Sequence, residues 1–308
     1  MKKQYTTLLL SVLTSLVLII PAQAVYNPSK EELQQSILDF HGIETDMDIC
    51  NYLTLDAMAM TREAAVTAII RSFGVYPANE PDHVWADELA QNQEYRPYID
   101  YARRIGITQG IGNNRFDPKR LVTDCELQLM LERVKDISIE PKYPLVYDSP
   151  FCKLLSSDIQ RGLSRVPDFL LETFYSEGRS IVATTSPFNR NGVSFSSRYV
   201  GMFWNEGNIW IAVTHYASPC YDQNETMIHE LGHYLAYHTR LFDRQTVPNE
   251  RDWLVRTYRE YGDANNDEFF ADSFVMYITQ PEQMKENAPT VYSHIESCLQ
   301  LFVRRCVT

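Results

Sequence analysis

Thr226-Met227-Ile228-His229-Glu230-Leu231-Gly232-His233-Tyr234-Leu235 carries His-Glu-x-x-His inside a run that reads as one helix. Residues four apart on a helix lie one turn above each other on the same face. His229 and His233 therefore aim two imidazoles at one point, as the first two protein ligands of a zinc ion do. Glu230 stands on the next spoke, placed to draw a proton from a metal-polarised water. Several kinds of zinc enzyme share these five positions. The third ligand decides which fold surrounds them.

A three-histidine site needs a glycine three residues after the second histidine and a further histidine three beyond that. The chain has Ala236 and Thr239 at those places. His238 is one residue off, which turns it about 100° away on a helix. Cysteine ligands are also badly placed, with Cys220 before the helix and the others remote in sequence. A better candidate lies downstream, where Asn265-Asn266-Asp267 reads as a helix N-terminus followed by Glu268-Phe269-Phe270-Ala271-Asp272-Ser273-Phe274. Glu268 would complete a His₂Glu zinc site with the fourth position left for water. Asp272, one turn further on, can hold a ligand histidine through its other ring nitrogen.

Upstream, residues 181–185 are short and β-branched, which predicts a strand. Residues 199–204 and 209–214 are apolar runs around Asn205-Glu206-Gly207-Asn208, the pattern of a hairpin. Residues 154–175 read as mostly helical, broken near Pro167. The expected fold class is α+β: a mainly helical zincin-like domain with a small antiparallel sheet packed on the histidine helix. An edge strand of that sheet could pair with an extended peptide.

His-Glu-Leu-Gly-His followed by Glu-Phe-Phe-Ala-Asp-x-Phe resembles the peptidase domain of the anthrax lethal factor family, which includes secreted Pro-Pro endopeptidases. The resemblance implies a gluzincin-type metallopeptidase with one catalytic Zn²⁺ on His229, His233 and Glu268, Glu230 as general base, and a peptide or protein substrate. It also implies a role for Tyr261, seven residues before Glu268, in donating a hydrogen bond to the reacting carbonyl. The chain carries Asp272 where relatives often have Glu, which shortens the reach to the histidine.

The start of the chain reads as an export address. Lys2 and Lys3 precede an apolar run over residues 8–20, and Pro21-Ala22-Gln23-Ala24 offers small residues at the positions a signal peptidase reads. The run is short of the about 20 residues a membrane span needs. We expect a signal peptide over 1–24, a secreted protein, and no stable membrane span once it is removed. Six widely spaced cysteines suit an oxidising compartment. Cys298 and Cys306 lie about two turns apart on one expected helix, roughly 12 Å along the axis and too far to bridge. If they pair, each reaches Cys152 or Cys220; free thiols are equally open. A net charge of −12 gives no footprint for nucleic acid.

Residues 25–142 read as helices punctuated by loops. Ser29, Thr61 and Thr123 stand at helix starts, and Gly110-Ile111-Gly112-Asn113-Asn114-Arg115-Phe116-Asp117-Pro118 as a turn-rich loop. The punctuation repeats after about 60 residues. Residues 85–134 resemble one S-layer homology repeat and residues 53–74 the end of a preceding one. The resemblance implies an all-α domain that docks on bacterial cell-wall polysaccharide through residues 53–134. The glycan-holding arginine of that repeat is Arg62 in the first copy and Asp124 in the second. Lys142-Tyr143-Pro144 and Ser149-Pro150 form an irregular stretch where a peptidase domain, 143–308, would begin. Two other functions fit the same residues: a wall-binding surface protein with an idle peptidase-like half, and a zinc amidohydrolase acting on a non-peptide amide.

Overall fold

The computed structural model describes residues 26–46, 49, 53, 60–77, 84–185, 189–190, 193–194, 200–203, 207–213, 222–240 and 242–306. The expected signal peptide, Cys50 and Cys220 lie outside the described residues. Among the described residues no helix is long and apolar enough to cross a membrane.

The regular elements described before residue 143 are helices: α1 (Lys30–His41), α2 (Arg62–Arg71), α3 (Arg96–Arg104), α4 (Asp124–Val134), and a single 3-10 turn, Glu88–Ala90. Their starts follow from local chemistry. Ser29 and Thr123 each accept the backbone N–H three residues on, and Glu32 and Glu126 reach back to the cap N–H, two complete capping boxes. Thr61 caps α2 by accepting from Ala64 N. Each such cap contributes about 1 kcal/mol to the helix it opens. One antiparallel bridge, Thr61 to Leu121, ties the start of α2 to the chain entering α4.

The second half opens on β1 (Val146–Tyr147), a strand inside the stretch read as irregular. Helices α5 (Pro150–Leu154), α6 (Ser157–Leu163) and α7 (Asp168–Ser176) follow, then β2 (Ile181–Thr184), β3 (Asn189–Arg190), β4 (Val193–Ser194), β5 (Gly201–Phe203) and β6 (Ile209–Ala212). The rest is helical: α8 (Gln223–His238), α9 (Pro248–Thr257), α10 (Asn266–Thr279), α11 (Pro281–Asn287) and α12 (Pro289–Cys306).

The main sheet runs β1-β2-β6-β5 and corrects the expected antiparallel one. β5 and β6 form the expected antiparallel hairpin, with Met202 opposite Trp210, but β1–β2 and β2–β6 are parallel. Parallel neighbours need a long crossover, and the three helices between β1 and β2 supply one. β2 is buried along its whole length, as a central parallel strand should be.

The sheet and α6 hold α8 in the core. Tyr234 of α8 is fully buried, its ring 5.0 Å from that of Phe174 and 5.8 Å from that of Phe302. Gly232 sets the approach of α10: a Cβ there would lie 2.9 Å from Ala271 Cα. The two helices therefore meet backbone to backbone at the middle of the histidine motif. The N-terminus of α8 is anchored across the halves of the chain. Arg71 Nη2 donates to Asp158 at 2.9 Å, Arg161 lies 3.4 Å from both Asp158 and Asp222, and Asp222 caps α8 by accepting from Asn224 N. One continuous apolar cluster extends from Leu33 to Phe302. Cys125, Cys152, Cys298 and Cys306 are free thiols, so neither helical cysteine pairs with Cys152.

Candidate metal centre

Close packing at Gly232 brings the first turn of α10 beneath His229 and His233. Asn265 caps that turn, accepting from Asp267 N and Glu268 N, and so fixes the backbone from which Glu268 projects. His229, His233 and Glu268 then offer three ligand atoms within 4.8 Å of one another, and among the described residues they form the one such group of metal-binding side chains.

The orientation of each group decides whether a cation fits. His229 Nδ1 lies 2.7 Å from Asp272 Oδ1; a carboxylate accepts, so the ring donates from Nδ1–H and turns Nε2 inward. His233 Nδ1 has Asp267 Oδ1 3.2 Å away, and its Nε2 points to the same place. The two Nε2 atoms are 3.0 Å apart. Glu268 Oε2 sits 3.2 Å from one and 3.7 Å from the other, buried and without a well-aligned hydrogen bond. Three electron-rich atoms thus converge in a buried spot. In the absence of metal they favour protons. Burial opposes a charge on His233, but Asp267 and Glu268 outweigh it and push its pKa up to about 10. Burial likewise opposes the Glu268 charge, and the two histidines still hold that carboxyl well below its usual range. The donor set, two imidazoles and one carboxylate, is the kind that holds zinc with an open position.

Glu230 is 5 % exposed on the adjacent spoke, under β5. Burial raises its pKa, against the lowering effect of the two histidines and of a hydrogen bond from Phe203 N. The strand comes this close because Gly201 has no side chain: a Cβ there would lie 2.5 Å from Glu230 Oε1.

Residues 197–298 match the family model of anthrax toxin lethal factor, N- and C-terminal domain. A search of curated proteins finds no match. The matched segment contains β5, β6, the two helices that carry His229, His233 and Glu268, and the turn before the second of them.

Within that segment Asp272 Oδ1 reaches His229 Nδ1 directly, at 2.7 Å. Tyr261 lies in a 3-10 turn, Glu260–Asp263, beside α10; its side chain is outside the described residues. Two residues at the site escaped the sequence reading. Asp267 faces His233, though in sequence it looks like any acid in a first helical turn, where the dipole favours one. Arg259 donates from Nε to both oxygens of Asp272, at 2.9 and 3.0 Å, and from Nη2 to Oδ1. Nothing in its spacing singles it out among the 28 Lys and Arg residues.

In the other half, Arg62 is 3 % exposed. Its Nε donates to Phe116 O at 3.0 Å, its Nη1 to Glu126 Oε1 at 2.6 Å, and its guanidinium lies 5.0 Å from the centre of the Phe116 ring. The arginine expected to face a glycan is spent inside the fold.

Proposed function

We propose that the chain is a secreted zinc-dependent metalloendopeptidase, with residues 143–308 as the peptidase unit. The observation that carries this reading is the convergence of His229 Nε2, His233 Nε2 and Glu268 Oε2 beside a buried Glu230. The match to the lethal-factor family model supports it, and the basic, apolar, small-residue pattern of residues 1–24 supports export.

His229, His233 and Glu268 would hold the zinc, with Asp272 and Asp267 orienting the two rings. Bound zinc supplies Lewis acidity, lowering the pKa of water and polarising the scissile carbonyl. Glu230 does the proton work: its carboxylate takes a proton from the attacking water and returns it to the leaving amine. Burial suits that task, because a carboxylate with a raised pKa holds the proton between the two transfers. We assign to Tyr261 the hydrogen bond to the developing oxyanion. β5, at the edge of the main sheet and against Glu230, suits an extended peptide that adds a strand.

Peptide-library cleavage by the zinc-loaded protein tests the reading, with Glu230→Gln as the blank. Glu230→Gln should keep its zinc and lose cleavage by on the order of 10²–10⁴-fold. Near wild-type cleavage by that variant would remove the general-base assignment, and no cleavage by the zinc-loaded wild type would remove the peptidase.

A further inference from the structure

The turn between α9 and α10 encloses the carboxylate of Asp272 from two sides. On one side Arg259 spans both oxygens with its guanidinium, and on the other Gly262 packs so closely that a Cβ would lie 2.8 Å from Oδ2. Asp272 itself is 6 % exposed. Its Oδ1 meets His229 Nδ1 at 2.7 Å, and Arg259 Nη2 also lies 2.8 Å from that nitrogen. A guanidinium only donates. Were Nδ1 to accept from it, the single proton of a neutral ring would sit on Nε2, and the lone pair aimed toward Glu268 would be lost. The fork of Arg259 onto Asp272 prevents this, because it holds Oδ1 where it accepts the Nδ1 proton.

We propose that Arg259 is a positioning residue for the metal centre: it clamps Asp272 against His229 and, through the same short turn, fixes the backbone bearing Tyr261 to the ligand helix. The proposal rests on the zinc reading. A bidentate arginine–carboxylate pair fixes angle as well as distance, which a lysine at the same place does not. Gly262 belongs to the device because any side chain would push Asp272 off the line to His229.

The test is metal binding, read apart from cleavage. Zinc affinity is measured by competition with a chromophoric chelator, and ligand geometry by the visible absorption of the cobalt-loaded protein. Arg259→Ala should weaken zinc binding by about 10–100-fold and shift the cobalt spectrum, and Arg259→Lys should recover only part of the affinity. Wild-type affinity and an unchanged spectrum in a folded Arg259→Ala protein would overturn the clamp. Should that variant fail to fold, Gly262→Ala carries the test: a loss of affinity supports the clamp, and wild-type affinity overturns it. A wild-type protein that binds neither zinc nor cobalt would remove the zinc reading itself, and the clamp with it.

Discussion

Two ionic clusters, one in each half of the chain, differ in a way that separates scaffold from site. Around Glu126 every charge finds a partner. Glu126 Oε1 accepts from Arg62 and Arg120 at 2.6 Å each, and Oε2 accepts from Arg120 at 3.0 Å and Thr123 N at 3.1 Å. Around Glu268 the charges are not closed off: Asp272 and Arg259 satisfy one another, and three potential ligand atoms are left facing a common point. A closed cluster stabilises the fold and has nothing left to bind. An open one keeps its uncompensated atoms where a cation can use them. The same contrast explains why Arg62 is no candidate for holding glycan.

Substitutions in the two clusters should therefore fail differently. The largest effect belongs to the open cluster. His233→Ala should abolish zinc binding and all zinc-dependent activity, while the metal-free protein still folds. Metal analysis and denaturant titration in chelator check both halves of that statement. Next comes Arg62→Met. Arg62 is buried, but Glu126 is partly exposed and keeps Arg120 and Thr123, so the loss should stay below the roughly 3–5 kcal/mol of a fully buried pair. Zinc affinity should not change. A folded Arg62→Met protein that loses its zinc would break the contrast between the clusters.

The smallest effect is a pH dependence. Burial opposes the Glu126 charge, but Arg120, Thr123 N and Arg62 outweigh it and hold the pKa at about 2, below the ordinary value of 4.5. Between those values the unfolded chain binds more protons than the folded one, so stability rises with pH. The contribution is present above about pH 4.5 and lost as pH falls toward 2. Glu126→Gln should flatten that part of the acid-unfolding curve; an unchanged slope would mean the cluster does not hold the charge.

Local chemistry made much of this legible in sequence. Ser29, Thr61, Thr123 and Asn265 cap within three residues of themselves, so the helix starts they set are written in adjacent letters. His229, His233, Glu268 and Asp272 were readable because helical spacing and the two motifs place them without knowledge of the rest. Long-range geometry was not readable. β1 is two residues in a proline-punctuated stretch, and its parallel pairing to β2 depends on a crossover of three helices that no local pattern announces. Arg259 and Asp267 matter through what the packing of α8 on α10 brings beside them, and Gly262 through an atom it lacks.

Zinc content is the decisive measurement. The purified chain, loaded with zinc and passed through gel filtration, should carry about one zinc per molecule by mass spectrometry, the occupancy of a single His₂Glu site. Glu268→Ala, treated alike, should carry almost none. A wild-type protein without zinc, or a Glu268→Ala protein that keeps its full complement, would contradict the account.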